Sequence, residues 1–183
     1  MILKTREVSS CDHLITPDEN FEITLDSPAL DIFTDFNKIT PLYIEQSMNL
    51  VAAQDLMRKT HVKLQLVLEN GEFMGALSYE DLISEKAMAY TNHRPRAEIM
   101  VSEIMTPKKC LKAIEYEDVK QAKISDIIET LKNEKRRHFL VIDSIKHHIR
   151  GMFSASDIAR RLHILINIDR VSTFIDIYNA LKK

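Results

Sequence analysis

The sequence predicts a mixed α/β fold that is built from two copies of one β-α-β-β-α unit. The first observation is a repeat, because "GALSYED" at residues 75–81 returns as "GMFSASD" at residues 151–157. Two more segments recur in the same order: "LDIFTDF" at 30–36 matches "SEIMTPK" at 102–108, and "KLQLVLE" at 63–69 matches "RHFLVID" at 137–143. Several short matches in one order indicate an internal duplication.

Each copy begins with a short extended segment, "NKITPLYI" or "KCLKAIEY", and continues into a helix. Helical spacing of apolar residues on one face supports the helix in both copies, more weakly in the first. These residues are Ile124, Ile127, Ile128 and Leu131 in the second copy and Leu50, Ala53 and Met57 in the first. Ser47 is the predicted N-cap of the first helix.

Two strands follow the helix in each copy, "LQLVL" with "FMGALS" and "HFLVI" with "IRGMFS". Asn70-Gly71 lies between the first pair and predicts a tight hairpin, since a type I′ turn needs positive φ at both central residues. The chain has only three glycines, and the other two, Gly75 and Gly151, open the repeated heptads. Each second strand is predicted to enter a helix at the Ser of its heptad.

The pattern divides the chain into five segments. Residues 1–28 are an N-terminal extension without clear periodicity, 29–90 are the first unit, 91–97 are a polar linker and 98–165 are the second unit. Residues 166–183 contain a predicted amphipathic helix with Ser172 as its N-cap. Its apolar face comprises Phe174, Ile177, Tyr178 and Leu181.

The composition is that of a soluble globular protein, with 183 residues, 45% hydrophobic and 28% charged. The net charge of −2 provides no overall attraction for nucleic acid or for an anionic membrane. The first residues turn charged too early for a secretory leader, and there is no apolar run of about 18 residues that could span a bilayer. Two isolated cysteines fit a reducing compartment. These observations predict a cytoplasmic protein.

Two β-α-β-β-α units that carry "EIMT", "RHFLVID" and "GMFSASD" in this order resemble a tandem pair of CBS domains, the Bateman module, over about residues 29–165. The resemblance implies two units packed around a pseudo-two-fold axis, with clefts that take AMP, ADP, ATP or S-adenosylmethionine. It also implies a regulatory rather than a catalytic protein, and a dimer that is often a flat disk.

The resemblance further implies a ligand site in the second copy. In this family the Asp of the final motif binds ribose hydroxyls, its Ser positions face ribose or phosphate, the basic pair faces phosphate, and the Thr lies near the base or sugar. The matching residues are Thr106, Arg137, His138, Ser154, Ser156 and Asp157, with a weaker second site at Thr34, Lys63, Ser78 and Asp81. Glu80 places a carboxylate in the first copy, where an uncompensated carboxylate would repel phosphate.

Each motif also has an interpretation without a ligand. Ser-x-x-Asp at a helix start is a capping box, which stabilises by about 0.5–2 kcal/mol and is compatible with ligand binding. The cluster "KNEKRRH" at 132–138 is better explained as a solvated helix end than as a nucleic-acid site. His147 and His148 would point to opposite faces of a strand, and Cys11 with His13 supplies only two ligands, so we predict no metal site.

Together with the patterns, the resemblance implies a non-enzymatic sensor with no catalytic residues and no cofactor other than a regulatory adenine nucleotide, bound in the cleft between the units. A homodimer and an effector protein are the expected partners, and neither nucleic acid nor a membrane is expected. The alternative is a ligand-free scaffold that acts through homodimerisation, with clefts filled by its own side chains.

Overall fold

The computed structural model describes residues 22–134, 136–164 and 173–182. Over these residues the strands form two four-stranded sheets, in the orders β2-β3-β4-β5 and β1-β8-β7-β6. The strands are β1 (Thr34–Asp35), β2 (Tyr43–Glu45), β3 (Leu64–Glu69), β4 (Glu72–Ser78), β5 (Thr106–Pro107), β6 (Ala113–Glu115), β7 (His138–Asp143) and β8 (His148–Ser154).

Helices connect the strands in the predicted order. They are α1 (Leu50–Thr60), α2 (Tyr79–Leu82), α3 (Glu85–Thr91), α4 (Val101–Ile104), α5 (Tyr116–Gln121), α6 (Ile124–Leu131), α7 (Ala155–Arg161) and α8 (Phe174–Leu181). The β-α-β-β-α order is therefore confirmed, as β2-α1-β3-β4-α2 in the first unit and as β6-α6-β7-β8-α7 in the second. The second unit differs by the additional helix α5 before α6.

The two sheets share one local design. In each, a short strand pairs in parallel with the first strand of a hairpin, and both hairpins carry an irregularity at the same place. The first hairpin turns at Asn70 and Gly71, whose φ values are +50° and +85°, which confirms the predicted turn. The matching registers make the units a pseudo-symmetric pair.

The leading strand of each unit lies in the sheet of the other unit. Strand β1 pairs with β8, so that Thr34 lies opposite Met152, and β5 pairs with β4, so that Thr106 lies opposite Ala76. Both pairings cross a glycine of the repeated heptads. An ideal Cβ on Gly75 would lie 2.3 Å from the carbonyl oxygen of Thr106, so only glycine allows the approach.

The exchange extends into the two hydrophobic cores. Ala29 and Ile32, which precede β1, are buried in the core of the second unit, while Val101 and Ile104 are buried in the core of the first. The predicted boundaries at 29–90 and 98–165 stay a prediction. In space, however, each core is completed by the segment that leads into the other unit, and this ties the two units together.

The C-terminal helix packs on the second unit, where α8 contacts α6 and α7. Its residues Phe174 and Ile177 are fully buried in that core. The N-cap is Thr173, whose side chain accepts from the Asp176 amide, whereas the predicted cap Ser172 lies outside the described residues. Ser47 was the wrong cap for α1, because the side chain of Asn49 accepts from the Ala52 amide at 2.9 Å.

The N-terminal extension is described only from residue 22 onward. Ile23 and Leu25 pack against the second core, and the carbonyl oxygen of Leu25 accepts from the Ser125 amide. In the described part of the chain, every helix is too short or too polar to cross a membrane.

Candidate functional site

A cavity of about 310 Å³ lies between the two units, where β4 enters α2 and where β7 begins. Polar side chains from both units surround it. The lining residues are Leu64, Ser78, Glu80, Asp81, Thr106, Arg136, Arg137, His138 and Thr173.

The first unit contributes a complete capping box to the cavity wall. The Ser78 hydroxyl accepts from the Asp81 amide at 3.2 Å, and the Asp81 carboxylate accepts from the amide and the hydroxyl of Ser78, both at 2.7 Å. These bonds satisfy backbone donors that the start of a helix leaves unpaired. In this copy the capping interpretation of the heptad is therefore correct.

The heptad of the second unit is built differently. The Asp157 amide reaches the Ser154 hydroxyl only at 3.4 Å, and one oxygen of the Asp157 carboxylate accepts from Arg160 at 2.6 Å. That ion pair lies at the surface, with 38% of the Asp157 side chain and 74% of the Arg160 side chain exposed. The carboxylate of Asp157 is thus directed to a neighbouring cation and does not close a capping box.

An ion pair between the units corrects the expectation about Glu80. The Arg137 guanidinium donates to the Glu80 carboxylate, so that this carboxylate is compensated by a cation of the other unit. The Arg137 side chain is 24% exposed and that of Glu80 is 38% exposed. The Arg137 carbonyl oxygen also accepts from the Ala155 amide, which fixes the start of β7 beside α7.

In the structure, His138 lies close to both heptads. It is paired with Ser154 of strand β8, and its half-buried side chain lines the cavity together with Ser78. Burial lowers the pKa of His138 below its usual range; the carboxylates of Glu80 and Asp157 oppose this shift and the charge of Arg137 adds to it. The imidazole is therefore neutral at neutral pH, and each of its nitrogens can serve as a donor or an acceptor but not both.

The sequence assigned the site residues to a main and a weaker site, and the structure groups them differently. Because the leading strands are exchanged, Thr106 lies in the cavity with Ser78 and Asp81, and Thr34 on β1 lies two positions from Ser154 across the β1–β8 pairing. The cavity therefore combines Thr106, Arg137 and His138 of the predicted main site with Ser78 and Asp81 of the predicted weaker site.

The remaining predicted residues lie outside the lining of this cavity. Ser154 is buried and is the N-cap of α7, and Ser156 and Asp157 follow in the first turn of that helix. Lys63 precedes β3 and places its ammonium group 5.0 Å from the centre of the Tyr79 ring. These residues and Thr34 occupy the positions that the repeat relates to the cavity.

Two polar residues of the cavity lining, Arg136 and Thr173, were missed from the sequence. From the sequence, Arg136 was interpreted as part of a solvated basic cluster, and Thr173 as the residue that follows the predicted N-cap Ser172. The only available signal for Arg136 was its position next to the predicted pair of Arg137 and His138. No signal pointed to Thr173, because its position depends on how α8 packs.

No cluster of three metal-ligating side chains occurs among the residues that the structure describes. The pair of Cys11 and His13 lies outside them. His147 has a positive φ of 55° and lies in the turn before β8.

Comparison with known proteins supports the resemblance. Residues 31–87 match the model of the CBS domain. The fold of the chain is that of solved CBS-pair structures. No curated protein sequence matches the chain. The resemblance noted from the repeated motifs is thereby confirmed.

Solved structures support the CBS-pair fold over most of the chain. An uncharacterised conserved protein from Pyrococcus horikoshii is 18% identical with a TM-score of 0.59, and the match covers 79% of this chain and 98% of that one. CBSX2 from Arabidopsis thaliana, in complex with AMP, is 17% identical with a TM-score of 0.54 and coverages of 73% and 94%. The CBS domain of a bacterial CNNM/CorC family Mg²⁺ transporter, in complex with ATP, is 16% identical with a TM-score of 0.56 and coverages of 78% and 91%.

Proposed function

We propose that this CBS pair is a non-enzymatic regulatory module that binds an adenosine-containing ligand in the cavity between its units. The observation that carries the proposal is the division of charge in the cavity. The carboxylates of Glu80 and Asp81 come from one unit, and the guanidinium groups of Arg136 and Arg137 come from the other. The Asp81 carboxylate can accept hydrogen bonds from sugar hydroxyls, Glu80 is paired with Arg137, and guanidinium groups bind phosphate. The cavity is therefore complementary to a nucleotide that lies across the boundary between the units.

The size of the cavity favours a small nucleotide. Its volume of about 310 Å³ is at the lower end of the range of about 300–1,000 Å³ that is usual for ligand sites. A nucleoside monophosphate fits this size, and the longer phosphate chain of ADP or ATP would extend past the exposed side chain of Arg136. The neighbours that were solved with AMP and with ATP support the choice of an adenosine ligand.

In this arrangement the residues have distinct roles. The hydroxyls of Ser78 and Thr106 and the carboxylate of Asp81 face the sugar, while Arg137 and the neutral imidazole of His138 face the phosphate. The positions related by the repeat form a second candidate site. Its residues are Thr34, Lys63, Ser154, Ser156 and Asp157.

We further propose a homodimer whose ligand occupancy is read by an effector protein in the cytoplasm. Val51 on α1 and Ile83 after α2 are about half exposed, and such residues can contribute to an apolar contact. A ligand can shift such an assembly only by its different affinities for two states. Binding must therefore be measured before any partner is sought.

A ligand-free scaffold is the second candidate, and one observation favours it. Four polar side chains of the cavity already have partners within the chain, since Asp81 is bonded to Ser78 and Arg137 is paired with Glu80. If no ligand competes for these groups, the cavity is held together by its own side chains.

A thermal-unfolding panel with AMP, ADP, ATP and S-adenosylmethionine separates the two candidates. Mass spectrometry of denatured protein first establishes that no ligand has copurified. A ligand present at 100 times its Kd should add about 2.7 kcal/mol of stability. A sensor shows this stabilisation with at least one compound, and the absence of any shift supports the scaffold.

Matched arginine variants test where the ligand binds. Arg137→Met should weaken nucleotide binding, because it removes the cavity guanidinium that is proposed to face the phosphate. Arg94→Met removes an equal charge and an ion pair, that with Glu103, outside the cavity lining, and should leave binding unchanged. Equal effects of the two substitutions would refute the proposed position of the phosphate.

A further inference from the structure

We infer that Glu80 sets the charge selectivity of the cavity, so that a nucleoside monophosphate binds more tightly than the corresponding triphosphate. This inference rests on the proposed function and adds to it the property by which the site distinguishes its ligands.

Glu80 is the second residue of α2, next to the capping box that fixes the start of this helix. Its carboxylate pairs with Arg137 across the boundary between the units, and both residues line the cavity. A phosphate that approaches Arg137 therefore has to share this guanidinium with Glu80.

The carboxylate of Glu80 repels ligands according to their negative charge. Adenosine has no phosphate charge, AMP carries one phosphate group, and ATP carries three. Because repulsion between like charges grows with the charge of the ligand, Glu80 disfavours ATP more than AMP and leaves adenosine unaffected. The exposed guanidinium of Arg136 offsets part of this repulsion. The second carboxylate of the cavity, that of Asp81, balances the positive charge of Arg136.

The two units carry different charges at the positions that the repeat relates. The neutral Ser156 aligns with Glu80, and Lys63 aligns with Arg137. Lys63 lies over the Tyr79 ring. The first unit thus carries an acid at a position where the second unit carries a hydroxyl.

The test is a calorimetric titration of the full chain with AMP, ATP and adenosine, without Mg²⁺, for wild type and Glu80→Gln. The inference predicts that Glu80→Gln lowers the ratio of AMP affinity to ATP affinity by about tenfold, equivalent to about 1.4 kcal/mol. Adenosine affinity should not change. Glu80→Asp keeps the carboxylate and should keep the preference for AMP.

Glu85→Gln is the matched control, because Glu85 is an exposed acid in the first turn of α3 and lies outside the cavity lining. It changes the net charge equally and should leave the ratio as in wild type. If AMP and ATP bind and the ratio is the same in wild type and Glu80→Gln, the role of Glu80 is refuted and the proposed function stands. If none of the three compounds binds wild type or Glu80→Gln, the proposed function fails and this inference fails with it.

Discussion

Substitution of Gly151 by alanine tests the exchange of strands between the units. A Cβ at this position would lie 2.2 Å from the Thr34 carbonyl oxygen and 2.3 Å from the Phe33 ring. Ordinary contact begins at 3.4 Å, so the backbone of β1 would have to move by about 1.2 Å (3.4 − 2.2) or leave β8. The structure thus predicts a clash that a flexible side chain cannot relieve.

The size of the effect follows from what β1 holds in place. A clash that is relieved by small shifts costs about 1–3 kcal/mol. If β1 separates from β8, the ion pair of Asp35 with Arg150 is also lost. Its side chains are only 13% and 14% exposed, and breaking a buried pair costs about 3–5 kcal/mol. We therefore expect Gly151→Ala to lower the free energy of unfolding by about 3 kcal/mol or more.

Urea unfolding of the three glycine variants provides the measurement and its control. Gly75→Ala would meet the Thr106 carbonyl oxygen at 2.3 Å and should also be strongly destabilising. Gly71 has open space around it and a φ of +85°, so Gly71→Ala should cost only the strain of the left-handed conformation, about 1–2 kcal/mol. If Gly151→Ala costs no more than Gly71→Ala, the close crossing of β1 over β8 is refuted.

Three further predictions follow from individual contacts. Arg150→Met should cost about 3–5 kcal/mol because it leaves Asp35 without its guanidinium; a loss below about 1 kcal/mol in urea unfolding would contradict a structural role for this pair. The free energy of unfolding of wild type should fall as the pH drops below about 6.5 toward the lower pKa of folded His138, since the unfolded state takes up the proton first. His138→Gln should remove this part of the pH dependence, and identical slopes between pH about 7 and 5 would contradict it. Phe174→Ala should cost about 3–5 kcal/mol if α8 is part of the second core, and hydrogen exchange should then show loss of protection in α6; unchanged stability would mean that α8 is not docked in solution.

Much of the fold could be predicted because its signals are local. The turn at Asn70-Gly71 and the apolar face of α6 depend only on residues close in sequence, and both were identified. The cap of α1 was misplaced by two residues, at Ser47 instead of Asn49, because neighbouring polar residues are equally suitable N-caps.

The strand exchange could not be predicted in the same way. Strands β1 and β5 have two residues each, too few to show the alternation that marks a strand. Only the glycines of the heptads indicated that another segment approaches closely, and a glycine does not identify that segment. The sequence therefore grouped Thr106 with Ser154 and Asp157, whereas β5 places it beside Ala76 of the first unit.

The sequence singled out residues that share a cavity, but not how that cavity is arranged. Arg137, His138, Ser78 and Asp81 were all singled out, and the structure brings them into one cavity. The pairing of Glu80 with Arg137 joins residues from different units and depends on how the units pack. No sequence pattern of one unit contains that information.

A crystal structure of the chain grown with AMP would show directly whether the ligand lies between the units. We expect electron density for AMP in the cavity between the units, with the ribose at Asp81 and the phosphate at Arg137. An empty cavity at saturating AMP, or AMP bound at a site formed by one unit alone, would contradict it.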